Sequence, residues 1–551
     1  MYAFGCGLCG VNLQGDVKSF VNSELIVYAI SMLKRNVVII ISGIVAAMVL
    51  ATGITLGVVL SGDSVPTYKI TYSAGTGGTI TGKANQKVKS GKNGTAVTAQ
   101  ANAGYAFDQW SDGVLTATRK ETNVTAKISV TAQFSVVEGN TTHFVSGLGT
   151  VENPYKISTR EQFENIGLSA YVYQRAYYEL INDIDFGAEE YKPIYNVYSF
   201  YGNLNGRGYK ISNMFINIDN STEGEYGITS RHFGLFGQVD QGASISNLVI
   251  EDALISDTRP HVIESNGYAV GYVNHVGILA GSSHGNIENV SVSGNITSIN
   301  NITWLGGLIG HASDTSAKLT PRQITDCSAN VDISIENNFN SDDGPSVGGL
   351  IGQANYNYSN LIIKNCYATG SIIANTSHYI TAGGLVGTAY GNQYGFAGYY
   401  DRAFTIQNSY SLVDINVDVD VANLDVSARN AGGLIGYYYD NTTIENSYAA
   451  GRIDAGSTLG STLGGIVAGG FYVVTVTNCH WLHHDDGDTT YAIGRSGTVS
   501  SDDGATKYTD ITEMHGDALI DILNAGLETP VWVAVEDGLP ILAWQASNID
   551  N

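Results

Sequence analysis

A glycine-framed apolar box recurs seven times between residues 233 and 468. The copies are Phe233-Gly-Leu-Phe-Gly237, Val276-Gly-Ile-Leu-Ala-Gly281, Gly306-Gly-Leu-Ile-Gly310, Gly348-Gly-Leu-Ile-Gly352, Gly383-Gly-Leu-Val-Gly387, Gly432-Gly-Leu-Ile-Gly436 and Gly464-Gly-Ile-Val-Ala468. Self-similarity at this period means one supersecondary unit stacked on copies of itself, which restricts the chain to a solenoid. It also favours a long exposed surface over a single enclosed enzyme pocket.

A strand-like segment with a fixed ending follows each box, as in Arg322-Gln-Ile-Thr-Asp326, Leu361-Ile-Ile-Lys-Asn365 and Phe404-Thr-Ile-Gln-Asn408. Two positions before the final Asn or Asp stands Ile or Val, which period-2 alternation turns inward. Asn247, Asn289, Asp326, Asn365, Asn408, Asn446 and Asn478 are expected to stack coil on coil as an amide ladder at a bend, because Asn tolerates unusual backbone angles and bonds neighbouring amides. The next position is Leu248, Val290, Cys327, Cys366, Ser409, Ser447 or Cys479, a column of small or apolar residues. Buried thiols acting as small hydrophobes are the reading of its cysteines; a Cys327–Cys366 disulfide is the alternative. A third strand closes each unit, for example Thr369-Gly-Ser-Ile-Ile373. Three strands per unit describe an all-β fold, a right-handed, three-sided parallel β-helix in which the box is one wall. Ladder positions lie 32 to 43 residues apart, so excess chain leaves as loops, among them 311–321, 336–346, 389–402 and 418–430. Such loops are the expected binding surface. Ser158-Thr-Arg-Glu161 is a capping-box pattern opening a helix to about residue 168. Tyr178–Phe186 reads as the first rung, 512–524 as a C-terminal helix, and Trp532 and Trp544 as a cover for the last coil.

Upstream, residues 68–134 alternate in short runs separated by Gly, Asn and Asp, the pattern of a small antiparallel β module. Tyr105, Phe107 and Trp110 are its expected core. Gly77-Gly-Thr-Ile-Thr-Gly82-Lys83 imitates a phosphate-binding loop, but Ala84 replaces the required hydroxyl and no helix pattern follows.

The formal net charge is −24 with 14% charged residues, a balance that repels nucleic acid. Residues 37–60 carry no charge over 24 positions, about 36 Å as a helix, enough to span a bilayer. Lys34 and Arg35 precede this run, so residues 1–36 are assigned to the cytoplasm and 62–551 to the exterior. The expectation is an uncleaved, single-pass anchor, with cleavage near Val59-Leu60-Ser61 as the alternative; Met32 is an alternative start that would make 1–31 an extension. Cys6 and Cys9 form an isolated CxxC, too little for a metal or redox site. Ten N-x-S/T sequons are present, Asn289 among them.

The Gly104-Tyr-x-Phe-x-x-Trp-Ser-Asp-Gly113 box and the closing strand Ile128–Phe134 resemble the divergent internalin B-repeat modules of bacterial surface proteins, which places a spacer-like module at 66–136. The boxes, the matched Asn/Asp strands, the entry Asn153-Pro-Tyr-Lys-Ile-Ser158, the segment 200–213 and the closing Gly538-Leu-Pro-Ile-Leu-Ala-Trp544 resemble surface proteins with GLUG-motif repeats, which places a capped β-helix at 145–545. Proteins of that kind are mostly adhesin-like, and some are joined to IgA-protease-like metallopeptidases.

No H-E-x-x-H occurs in the chain, so zincin-type ligands and base are missing. G-x-S-x-G occurs at Ser283 and Ser346, both read as turns between solenoid strands rather than nucleophile elbows. Asp414, Asn416, Asp418 and Asp420 alternate with Ile415, Val417 and Val419, the pattern of a solvated outer face, with a weak Ca²⁺ site as the alternative. His483, Asp485 and Asp488 are the candidate metal ligands in the densest cluster, while His480 falls in a column with Tyr367, Tyr410 and Tyr448. Asp183 and Asp185 are read as structural. No catalytic set is identified and no cofactor is expected. The reading is a membrane-anchored extracellular adhesin-like protein, not an enzyme, that binds glycans or proteins of a host or of neighbouring cells. A β-helix carbohydrate-active enzyme and a structural envelope spacer are the alternatives.

Overall fold

The computed structural model describes residues 65–102, 105–136, 143–167, 175–194, 199–218, 230–258, 273–299, 303–313, 321–337, 344–356, 360–376, 379–391, 403–419, 429–455, 462–484, 491–496 and 504–549. The expected cytoplasmic segment and the anchor at 37–60 lie outside these residues. Among the described residues, no helix is long and apolar enough to cross a membrane.

The N-terminal module is built from two sheets. Thr67–Ala74, Asn85–Lys89, Tyr105–Trp110 and Ile128–Val136 form the first; Gly78–Gly82, Val97–Ala101 and Thr118–Arg119 form the second. Trp110 is fully buried with Ile70, Tyr72, Val97 and Ala132 around it. Its indole Nε1 donates to Thr116 O at 3.1 Å, and the Arg119 guanidinium lies 5.0 Å from its ring. Two expectations are corrected. Thr67–Ala74 and Ile128–Val136 pair in parallel, so the module is mixed rather than antiparallel. Tyr105 stays outside the apolar cluster, while Phe107 packs at its margin. The glycine-rich run at 77–83 contains the strand Gly78–Gly82 and opens no helix.

Downstream, the chain is a parallel β-solenoid. Among the described residues, its three principal sheets hold twenty, seven and eight strands. One coil shows the logic: Ser346–Gly348, Ile351–Asn355, Leu361–Lys364 and Tyr367–Thr376 each pair in parallel with the equivalent strand of the next coil. The box is therefore not one wall. Gly348 ends a strand of the seven-stranded sheet, Ile351 begins a strand of the eight-stranded sheet, and Leu350 turns into the core between them. The Asn-terminated strand and the third strand share the twenty-stranded sheet and meet at the Asn bend. Each coil thus carries a strand before the box that a box-centred reading omits.

The bend is built as the alternation implied. Asn247, Asn289, Asp326, Asn365, Asn408, Asn446 and Asn478 all have φ between 47° and 54°, the left-handed region that Asn tolerates better than other side-chain-bearing residues. Asn247 donates to Asn205 at 3.1 Å, Asn289 to Asn247 at 2.8 Å, Asn365 to Asp326 at 2.9 Å and Asn408 to Asn365 at 3.1 Å. Asn446 and Asn478 extend the chain of amides, and Asn478 also donates to Ile522 O at 2.8 Å. Asp326 has no N–H to hand on, so it enters only as an acceptor. Cys327, Cys366 and Cys479 sit beside the ladder as free, buried thiols. Burial raises the Cys366 thiol pKa well above its ordinary value and takes Cys479 to about 12.

The ends differ in detail from expectation. Thr159, not Ser158, caps the helix Arg160–Glu164 by accepting from Gln162 N. Tyr155–Ile157 pairs with Tyr177–Leu180 and forms a rung before the one expected first. The C-terminal helical region is split into a 3₁₀ turn, Ile511–Met514, and the helix Asp517–Asn524. Trp532 and Trp544 cover the side of the solenoid rather than its last coil. Tyr367, Tyr410 and Tyr448 stack at 4.9 Å with nearly parallel rings. Trp532 packs on Tyr410 and Tyr448, and Trp544 on Tyr367.

Candidate functional site

The strands flanking the box project alternate residues outward. On the seven-stranded sheet the register aligns His232, His275, Trp304, Ser346, Thr381 and Asn430. On the eight-stranded sheet it aligns Gln238, Ser282, His311, Gln353, Thr388 and Tyr437. The final box glycine lets these two columns meet across a concave corner. A Cβ on Gly352 would stand 2.5 Å from Leu305 N, and one on Gly387 2.6 Å from Val347 N. Any side chain there would push the sheets apart. Ser346 Oγ joins the two columns, 2.8 Å from both Thr388 Oγ1 and Gly352 O.

The result is a cleft running along consecutive coils. Its central part is a cavity of about 430 Å³ whose lining includes Thr303, Trp304, Gln353, Tyr379, Thr381, Tyr390 and Tyr439, a size typical of ligand sites. Ser346, Thr381 and Thr388 form a buried polar floor. Half-buried Trp304, Gln353, Tyr379, Tyr390 and Tyr439 form the walls. At one end, Tyr437, Tyr439 and Phe471 make an aromatic cluster with ring separations of 5.0 to 5.8 Å. Phe471 is 57% exposed.

The other end is a buried imidazole cluster. His275 lies 4.6 Å from His232, 4.8 Å from His311 and 4.3 Å from Trp304, ring centre to ring centre. Desolvation lowers His232 and His284 to about 4 and holds His275 and His311 well below the ordinary range. Neither nitrogen of His275 has a hydrogen-bond partner among the described residues. Stacking of neutral rings therefore organises this end. Among the described residues, no three His, Cys, Asp or Glu side chains are arranged to hold a metal ion.

The residues singled out from sequence fall elsewhere. His483 lies just beyond the strand Cys479–Leu482, with its N–H on Tyr508 O at 2.7 Å and its ring edge-on to Trp481. Asp485 and Asp488 lie outside the described residues, as does Asp420. Asp414, Asn416 and Asp418 are exposed on the outer face of Tyr410–Val419, and Asp414 Oδ1 accepts from Arg452 N at 2.8 Å. His480 continues the tyrosine column opposite Tyr448, bonded to Tyr508 and Asn478, and burial lowers it to about 4. Asp185 accepts from Gly187 N, which closes a turn, and from Asn213, while Asp183 accepts from Lys210 N; the last two contacts tie neighbouring rungs. Ser283 and Ser346, expected in turns, lie in the strands Ala280–Ser283 and Ser346–Gly348. Of the four expected loops, most of each lies outside the described residues. The box repeat itself does not mark the cleft residues; the sequence signal for them is the polar–apolar alternation on either side of it, Ser346-Val-Gly348 and Gln353-Ala354.

The described residues thus form a small β module followed by a repeating parallel β-solenoid. The chain carries a divergent InlB B-repeat domain at residues 68–138 and the GLUG motif at 427–454. A protein of Evansella cellulosilytica provisionally described as a Gly-rich membrane protein is 32% identical over 165 residues, covering 29% of this chain and 16% of that protein. Halomucin of Haloquadratum walsbyi is 27% identical over 243 residues, 40% of this chain and 2% of its own length. Immunoglobulin A1 protease of Streptococcus pneumoniae is 24% identical over 251 residues, 44% of this chain and 11% of that protein. The chain thus spans less than a fifth of each relative. Among solved structures, a candidate immunoglobulin A1 protease from Bacteroides ovatus aligns at a TM-score of 0.42 and 20% identity, over 73% of this chain and 95% of its own. A structure described as IgA1 Protease aligns at 0.38 and 15% identity, over 77% and 30%. One expectation is overturned here: the chain is expected not to be an enzyme, with a β-helix carbohydrate-active enzyme as the alternative, whereas a relative bearing the name of a protease aligns with it.

Proposed function

We propose that the chain is a membrane-anchored extracellular protein of adhesin type, whose solenoid presents a binding surface to glycans or proteins on neighbouring or host cells. The observation that supports this most is the outward cleft between the seven- and eight-stranded sheets. It repeats polar and aromatic side chains on successive coils that the core does not require. The uncharged run at 37–60 supplies the anchor in this reading and the module at 66–136 a spacer, and the resemblance to a protein described as a membrane protein supports a membrane location. The test is attachment. Producing cells with the gene deleted should lose adherence to their natural surface and regain it with the full chain. Unchanged adherence after deletion sinks the reading.

The relative named Immunoglobulin A1 protease supports a second reading, in which a solenoid of this type serves a chain that also cleaves protein. Incubation of the full chain with immunoglobulin A1, followed by N-terminal sequencing of any fragments, separates the two.

A further inference from the structure

The cleft selects for one chemistry more narrowly than a generic binding surface does. Its described lining contains hydroxyls, amides and aromatic rings, with no carboxylate, ammonium or guanidinium group. A charged ligand entering it would lose water without gaining a counter-charge. Acidic polysaccharides and basic peptides are disfavoured on this ground.

Peptide backbone is disfavoured for another reason. Strand addition needs an open sheet edge with free N–H and C=O groups. Here the strands on both sides of the cleft pair with the coils above and below, so their main-chain groups are already used. Recognition must come from side chains. Trp304, packed on His275 and His311, and Tyr390, packed on Tyr439, are half-buried aromatic rings in the lining. Gln353 projects an amide from the wall, with no hydrogen bond inside the protein among the described residues. Flat apolar faces beside isolated hydrogen-bonding groups match a pyranose ring, which carries C–H groups on its faces and hydroxyls at its edge. Successive coils place other polar side chains at the same register positions, Ser346 and Thr381 beside Trp304 and Thr388 beside Gln353, about every 4.8 Å, so the cleft runs along the solenoid axis as a linear ligand would.

We infer that the cleft centred on Trp304, Gln353, Tyr390 and Tyr439 is a binding site for an uncharged linear glycan. This rests on the surface-binding reading above and names the ligand class of that site. The full chain is titrated with cellohexaose, chitohexaose and mannohexaose, with hexagalacturonate and a Gly-Ser hexapeptide as the charged and peptide probes. Saturable binding of at least one neutral hexasaccharide is expected, with a change in tryptophan fluorescence from Trp304. Gln353→Ala and Tyr439→Ala are expected to weaken that binding tenfold or more, with circular dichroism unchanged in both and the thermal midpoint unchanged in Gln353→Ala. Trp304→Ala should abolish the fluorescence change, and Gln353→Ala guards against a folding effect at Trp304. Three outcomes overturn the inference: no neutral hexasaccharide bound at millimolar concentration, binding unaltered by Gln353→Ala and Tyr439→Ala, or binding only of the galacturonate or the peptide. Cell attachment read in parallel separates the two levels. Equal attachment by wild type and cleft variants discards the glycan site alone, whereas no attachment by the wild type discards the surface-binding reading itself.

Discussion

Asn408 donates its side-chain amide to Asn365 Oδ1, one coil away, at 3.1 Å, and both residues hold a left-handed backbone, with φ of 50° and 53°. The same side chain accepts from Asn446. One residue type therefore supplies the bend and ties three coils together. Replacing Asn408 by Ala removes both hydrogen bonds and places a Cβ-bearing residue without local compensation at positive φ. Each net hydrogen bond contributes about 1 kcal/mol and the strained φ costs about 1–2 kcal/mol, so a loss of about 3 kcal/mol is expected in chemical unfolding. Asn408→Gly keeps the backbone and should lose less than Asn408→Ala. An equal loss in both would assign the whole effect to the hydrogen bonds.

Protonation of His480 provides a pH test. Its folded-state pKa, about 4, lies below the ordinary 6.5 because of burial beside Tyr508 and Tyr448. The unfolded chain takes up the proton first, so the stability held at pH 7 is lost as pH falls from about 6.5 to about 4 and changes no further below that. His232 and His284 act in the same direction. His480→Tyr restores the residue type of its column and removes one titration. The variant should unfold at higher urea than wild type at pH 5, by a margin that exceeds any difference at pH 7.

The C-terminal strap depends on Trp532, which is buried against Tyr410 and Tyr448. Tyr448 O–H donates to Pro540 O, and Tyr410 O–H to Gln545. Trp532→Ala empties that contact at a cost of about 3–5 kcal/mol. Limited proteolysis should then release a fragment covering residues 511–549 at protease levels that leave the wild type intact.

Much of the solenoid was legible because its constraint is periodic. The Asn positions, the inward Ile two residues earlier and the thiol column all follow from alternation and repetition. The tyrosine column containing His480 followed from the same alignment. What stayed hidden was lateral. Nothing in the spacing of Trp532 and Trp544 says that a strap folds back over three coils rather than across the end. The cleft was missed for a related reason: Ser346 and Thr388 belong to different coils and different sheets, and they meet only because Gly352 and Gly387 carry no side chain.

The cysteines give a simple accessibility test. Cys327, Cys366 and Cys479 are free and buried, with Cys366 and Cys479 pushed further from the reactive thiolate. In native protein at pH 8 these three should resist a thiol reagent, and all three should react once the chain is unfolded in guanidinium. Fast native labelling of Cys327 or Cys366 would contradict the coil packing described for this column.

The most direct measurement for the account as a whole is attachment of intact cells displaying the full chain, compared with cells displaying the Gln353→Ala/Tyr439→Ala chain at equal surface density. Strong adherence to a glycan-bearing surface is expected with the wild type, and at least a tenfold drop with the variant. Adherence that is the same for both, or absent with both, would contradict it.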